Sequence, residues 1–326
     1  MDSDSTSPQE AASSDSNDPG SSPDSSSDSP LSRRSFLERS ALGAAGISAA
    51  LAGSGNFAYG APQDDVMRVG VIGCGGRGTG AAVNAVNAAP NVEIYAMGDL
   101  FRNRLDSSVE QLQKHAQDAF NAPPERRFVG FDAYEHVLDT EIDYVILATP
   151  PHYRPEQLRA AVEADKHVFF EKPVAVDPPG VRHVIETGEM AAEKGLSLVT
   201  GTIYRRQHNF VEGVRRVHDG MIGTPVAAQE YYMTGQLWLR EREPGMSDLE
   251  WQARNWYYFT WLSGDHIVEQ FVHNLDVINW VMQAHPVSAV ATGGRQVRVD
   301  PSYGHIYDHF SVEFEYPGGV RVAAKC

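Results

Sequence analysis

Val69-Gly70-Val71-Ile72-Gly73-Cys74-Gly75-Gly76-Arg77-Gly78 closes an apolar run and opens an Ala/Val-rich one, with glycines at 73, 75 and 78 in G-x-G-x-x-G spacing. The pattern alone is weak. Its weight comes from the strand expected before it (68–73) and the helix expected after it (76–88). Gly73 permits the tight turn, Gly75 lets the backbone approach a pyrophosphate, and Gly78 lets helix pack on strand. The helix start, with Gly76 and Arg77 in its first turn, turns free N–H groups and a positive dipole end toward phosphate. A second strand, 92–98, leads to Asp99. Its carboxylate is positioned to accept hydrogen bonds from ribose hydroxyls and to repel a 2′-phosphate, which favours NAD over NADP. Arg102 nearby is the one feature that would accommodate NADP. The alternative, a glycine turn that binds nothing, leaves the strand, helix and acid unexplained.

The alternation continues outward. A helix is predicted over 102–120, then strand 144–148, helix 156–164, strand 168–170, helix 179–194 and strand 196–200. Strand-helix alternation predicts an α/β fold with a doubly wound parallel sheet over 66–201. Past Thr202 the rhythm changes: helix 211–218, a long strand 226–234, an aromatic polar loop through Trp256, and one strong helix 264–282. Strands 287–292, 309–316 and 320–324 follow, the last two turned by Pro317-Gly318-Gly319. This predicts a second α/β domain, 202–326, with a largely antiparallel open sheet.

Residues 1–31 are Ser, Asp, Pro and Gly-rich and are predicted to be disordered. Residues 32–61 begin Ser32-Arg33-Arg34-Ser35-Phe36-Leu37, continue into a short Ala/Gly/Leu run and end in small residues around Ala58-Tyr59-Gly60-Ala61. That is the build of a signal peptide, and the arginine pair resembles the twin-arginine type that exports folded proteins. The predicted location is therefore the periplasmic or cell-envelope side, with the export machinery as a partner. The preceding acidic stretch and Glu38 weigh against this, and a start at Met67 would leave a cytoplasmic enzyme. The formal charge is −16, which excludes nucleic acid as a natural partner. Cys74 and Cys326 offer neither a disulfide nor metal-ligand spacing, and His305 with His309 is too sparse a set, so no metal is expected.

Three further pieces fall in order. Ala148-Thr149-Pro150-Pro151-His152 follows one strand, Glu171-Lys172-Pro173 follows His167-Val168-Phe169-Phe170, and His273-Asn274-Leu275-Asp276 lies on the later helix. As an ordered set, from about Met67 onward, they resemble the Gfo/Idh/MocA oxidoreductases. The resemblance implies a Rossmann domain followed by an α/β domain whose open sheet helps form the substrate site. It implies that Lys172 is catalytic, and that Thr149, Pro150 and His152 lie along the nicotinamide side. Members usually extend further, so the second sheet is expected to be incomplete. They often associate through that sheet, so a homo-oligomer is expected.

The residues also carry their own chemistry. Lys172 stands at the carboxyl end of a parallel strand, where ligands bind, and its ammonium would stabilise an oxyanion as hydride leaves. The bland alternative is a surface lysine paired with Glu171, a residue otherwise assigned to the cofactor side. Glu269, His273, Asp276 and Trp280 are spaced four, three and four, so on one helix they share a face. Glu269 is then expected to orient His273 and favour its protonated form, with His273 as general acid/base. A core histidine is the alternative. Tyr204 and Arg205, with Asp276, are expected at the substrate mouth, and the aromatic loop 238–258 is expected either to stack on a sugar or to pack internally. The function predicted is hydride transfer between nicotinamide and a sugar, polyol or related secondary alcohol. The alternatives are an NAD-dependent glycosidase that oxidises its sugar transiently, and a non-catalytic nucleotide-binding sensor. An exported enzyme of either catalytic kind needs NAD that stays tightly bound.

Overall fold

The computed structural model describes residues 66–326. The acidic segment and the signal-like segment lie outside the described residues. The first sheet has six strands, all parallel, in the order β3-β2-β1-β4-β5-β6: β1 Met67–Ile72, β2 Val92–Asp99, β3 Arg127–Val129, β4 Tyr144–Leu147, β5 His167–Phe170 and β6 Leu198–Thr200. Order reverses between β1 and β4, and the loops that follow these two strands carry the glycine motif and Thr149-Pro150. In an open parallel sheet that crevice is where ligands bind.

Helices cover both faces because the strands are apolar on both. On one side α1 (Gly76–Ala88) and α2 (Arg102–His115) pack Ala81, Ala82, Leu105, Val109 and Leu112 against Val69, Val71, Ile94 and Met97. On the other side α3 (Ala133–Leu138) and α4 (Arg154–Glu163) pack Val137, Leu158 and Ala161 against Val145, Leu147 and Phe170. α2 stops at His115, short of the predicted 120, where basic Lys114 and His115 meet its carbonyl end. α5 (Pro178–Glu193) begins with Asp177 accepting from the Gly180 N–H.

The second region opens with α6 (His208–His218) and β7 (Ala227–Tyr231). Three short helices follow, α7 (Asp248–Arg254), α8 (Thr260–Ser263) and α9 (Asp265–Glu269), then α10 (Val272–Met282) and strands β8 (Ser288–Gly294), β9 (His309–Glu315) and β10 (Arg321–Lys325). The sheet runs β7-β10-β9-β8. It is mixed: β10 pairs parallel with β7 and antiparallel with β9, which pairs antiparallel with β8. α9 and α10 replace the single helix expected over 264–282. The cause is a bond from outside. The Glu269 carbonyl, which in a continuous helix would accept the His273 N–H, accepts the Lys172 ammonium instead, and the His273 N–H turns to the Gln270 carbonyl at 3.5 Å. Phe271, fully buried, anchors the break in the core beneath β9 and β10.

Candidate active site

The glycine loop forms one wall of a cleft of about 1200 Å³. Gly73 has φ +90°, and a Cβ on Gly78 would lie 1.8 Å from the Gly73 carbonyl oxygen, so both positions require glycine. Gly76 faces open space, Gly75 has only Arg104 Nη1 at 3.8 Å from where its Cβ would stand, and no side chain caps the start of α1. Arg77, Thr149 and Pro150 also line this cleft.

Asp99 lies in the same cleft and is buried. Its two oxygens accept the backbone N–H of Cys74 at 2.7 Å and of Phe101 at 2.8 Å. Burial pushes its carboxyl pKa upward, while these two amides and the nearby Arg104 and Arg254 oppose the rise. The acid therefore braces the glycine loop against the β2–α2 turn, with one amide on each oxygen and further acceptor capacity on both. The arginine beside it is Arg104. Arg102, the residue expected to bear on NADP, points to Asp106 at 3.9 Å in an exposed pair.

Arg77 Nε meets Glu171 Oε1 at 2.5 Å, which ties the glycine loop to the residue before Lys172. Lys172 does not pair with Glu171. Its ammonium lies 2.8 Å from Glu269 Oε1 and also takes the Glu269 carbonyl, both partly buried. Glu269 therefore serves Lys172, which corrects the expectation that it orients His273. It cannot share a continuous helix face with His273 because the helix breaks between them. Burial raises the Glu269 pKa and Lys172 opposes that rise. Burial lowers the His273 pKa, and the Lys172 charge lowers it further, so the ring is biased to the neutral form, not the protonated form expected.

Tyr204 stacks on Phe210 at 4.4 Å and sits 5.2 Å from the His273 ring. Arg205 and Asp276, both expected to meet substrate, meet each other: Arg205 Nε lies 2.9 and 2.8 Å from the two Asp276 oxygens, and the guanidinium rests over Trp280. Their charges satisfy one another, and the Lys172 charge acts on His273. His152 is exposed and packs edge-on against Trp261 and Tyr153; Tyr153 lines the cleft with Thr149 and Pro150, and His152 does not. The aromatic loop packs largely on itself, Trp238 against Trp256, Tyr257 and Tyr258.

One residue of weight escaped the sequence reading, and one within the aromatic loop stands apart from its neighbours. Arg154, 2 % exposed, donates to the carbonyls of Thr149 and Pro173, so one guanidinium joins the two loops that carry the candidate chemistry. Its only sequence signal is an arginine in the short turn after Pro150-Pro151. Tyr257 is buried with no partner for its hydroxyl among the described residues, as is Glu269 Oε2, and the two groups lie within electrostatic reach of each other. Orphaned buried polar atoms of this kind mark a place for water or a ligand group.

The model of the oxidoreductase family with NAD-binding Rossmann fold matches residues 67–202, and the GFO/IDH/MocA C-terminal domain model matches 213–326. The chain is 27% identical over 242 residues to the myo-inositol 2-dehydrogenase of Thermotoga maritima, covering 74% of this chain and 62% of that protein. It is 27% identical over 218 residues to a glycosyl hydrolase family 109 protein of Saccharopolyspora erythraea, covering 61% and 45%. The chain thus spans less than two thirds of these curated relatives. Among solved structures it resembles an oxidoreductase domain protein from Kribbella flavida (TM-score 0.63, 20% identity, 80% and 67% covered). It also resembles myo-inositol 2-dehydrogenase from Lactobacillus plantarum (TM-score 0.60, 19% identity, 80% and 69% covered).

Proposed function

We propose, for a chain that belongs to the Gfo/Idh/MocA oxidoreductase family, that it is an NAD(P)-dependent dehydrogenase acting on a secondary alcohol of a sugar or polyol. The observation that carries this reading is Lys172: an ammonium at the end of a parallel strand, fixed by Glu269, coupled through Glu171 and Arg77 to a glycine loop. The cleft suits a dinucleotide by its uncapped helix start, its open Gly75 and Gly76, and its braced carboxylate. Gly73–Gly78 would hold the pyrophosphate, Asp99 the ribose, and Thr149 and Pro150 the side toward Lys172. With Asp99 buried beside the ribose position, NAD is preferred over NADP. When bound, the dinucleotide supplies the hydride acceptor or donor.

The chain's residues handle the proton. Lys172 donates a hydrogen bond to the substrate hydroxyl oxygen and steadies its negative charge. Neutral His273 takes the hydroxyl proton while the carbinol carbon gives up its hydride, which the oxidised nicotinamide would accept, and the product is a carbonyl. Tyr204 packs against the imidazole ring. The test is nicotinamide absorbance at neutral pH against a panel of polyols and aldoses: a signal that Lys172→Ala abolishes supports the reading, and an unaffected turnover refutes it.

The family 109 relatives favour a second reading, NAD-dependent glycoside cleavage, in which transient oxidation acidifies a neighbouring C–H and the aglycone is eliminated. Release of aglycone from an aryl glycoside with no net NADH distinguishes it. We also propose export by the twin-arginine route with the nucleotide already bound, on the strength of Arg33-Arg34 and the apolar run after them, and assembly as a homo-oligomer.

A further inference from the structure

The cleft has a second wall that no motif announces. Trp238, Arg240, Met246, Glu250, Arg254 and Trp256 come from the second region and face the glycine loop and the β2–α2 turn across it. The stretch 235–247 has no regular secondary structure, yet it is stapled to its own region. The Gly235 carbonyl accepts from Arg298, the Leu237 carbonyl from Tyr258, the Arg240 N–H donates to Asn255, and the Arg240 carbonyl accepts the Trp251 indole N–H. Arg242 pairs with Asp248 at 2.7 Å at the base of the turn.

Among the described residues, its hydrogen bonds to the nucleotide side converge on Arg254. The Arg254 guanidinium lies 3.9 Å from the Phe101 ring centroid, and its Nη1 is 3.2 Å from Asn103 Oδ1. The Arg254 carbonyl accepts Arg104 Nη2 at 3.3 Å, and Glu250 holds Arg254 Nε at 2.9 Å from behind. Phe101, Asn103 and Arg104 all belong to the turn and first helical residues that follow Asp99.

We infer that residues 235–256 form a clasp over the adenosine half of the dinucleotide, closed by Arg254, and that the clasp keeps the nucleotide bound between turnovers. The inference rests on the reading of this cleft as a dinucleotide site. With the clasp shut, a nucleotide in the cleft touches both walls, so occupancy and closure stabilise each other. Leaving requires Arg254 to come off Phe101 and Asn103 and Arg104 to release the Arg254 carbonyl. Arg254 is a positioning residue: it holds the second wall in place and stands clear of the reacting carbon.

The test is nucleotide release by purified full-length protein loaded with NADH, chased with excess NAD and followed by protein-to-nicotinamide energy transfer. Arg254→Ala is expected to release NADH at least about tenfold faster, equivalent to ~1.4 kcal/mol. Arg254→Lys is expected to recover only part of the difference, because an ammonium does not reproduce the planar stack. Asn103→Ala, an exposed change that leaves the fold intact, is expected to speed release about threefold. NADH is also expected to protect wild type from tryptic cleavage after Arg240 and Arg242, and to protect Arg254→Ala less. Unchanged release in both Arg254→Ala and Asn103→Ala overturns the clasp while leaving the dinucleotide site standing. A wild type that binds no dinucleotide overturns the site and the clasp with it.

Discussion

The Lys172 ammonium is shared between the Glu269 carboxylate, 2.8 Å away, and the Glu269 backbone carbonyl, across 97 positions of sequence. One residue thus supplies charge balance to the lysine and, by giving up its carbonyl, ends one helix and starts the next. Both side chains are largely buried, so removing one partner leaves an unbalanced charge. Glu269→Gln is expected to lower stability by about 3 kcal/mol in urea titrations. Adding Lys172→Met to it is expected to restore part of that loss, because the stranded ammonium is gone. Additive losses in the double variant would show that the pair is not coupled.

Lys172→Met alone is expected to reduce kcat on the alcohol substrate by about 10²–10⁴-fold, the range for loss of a positioned proton-handling or oxyanion-stabilising group. Dinucleotide affinity is expected to change little, since Lys172 does not line the glycine-loop cleft. Calorimetry and steady-state rates on the same preparation separate the two effects.

His273 gives the reaction its pH dependence. Burial and the Lys172 charge hold its pKa below the usual imidazole value of 6.5. The neutral ring is the base, so alcohol oxidation is expected to fall as pH drops through this lowered pKa and to be flat above it. The reverse reduction, which needs the protonated ring, is expected to weaken over the same interval as pH rises. In an NMR titration of the His273 ring, Lys172→Met is expected to move the midpoint upward. A midpoint at or above 6.5 in wild type would show that burial and the Lys172 charge do not depress the His273 pKa.

What could be read from the chain follows strand ends and close spacing. Gly73, Gly75, Gly78 and Asp99 are legible because each stands at a βα junction whose chemistry is local, and the parallel sheet follows from the alternation of strands with helices. Lys172 is legible for the same reason. Its partner is not: Glu171 is its neighbour in sequence, but Arg77 claims Glu171 and Glu269 arrives from the far region. The helix 264–282 was misread because nothing local competes for the Glu269 carbonyl. Arg205 and Asp276 looked like substrate ligands because spacing shows where a charge is, not what already neutralises it. Arg154, Arg104 and Arg254 act through contacts that link separate loops, and no periodicity records those.

The glycine loop separates folding from binding. Gly78→Ala would place a methyl 1.8 Å from a backbone oxygen of Gly73, which cannot move without opening the turn. A cost of about 3 kcal/mol or more is expected, at the upper end for overpacking. Gly75→Ala meets nothing closer than 3.8 Å and is expected to leave the melting temperature nearly unchanged. It is nonetheless expected to weaken dinucleotide binding about tenfold or more, because the methyl stands where the pyrophosphate approaches. Melting and calorimetry on both variants decide this, and equal losses of stability would contradict it.

Glu230 offers a stability test away from the site. It lies on β7 opposite Ala324, is 6 % exposed, and neither carboxylate oxygen has a partner among the described residues. Burial pushes its pKa up to about 7. A carboxyl whose folded pKa exceeds its unfolded value of about 4.5 favours the native state most when protonated. That contribution is complete below about pH 4.5, declines as pH rises through about 7, and is then constant, with a total of roughly 3 kcal/mol. Glu230→Val keeps a strand-compatible side chain and removes the ionisation. The variant is expected to gain stability over wild type at pH 8 by roughly 2.5 kcal/mol more than at pH 5, read from urea midpoints at the two pH values. An equal difference at both would mean that the Glu230 carboxylate has found solvent or a cation in solution.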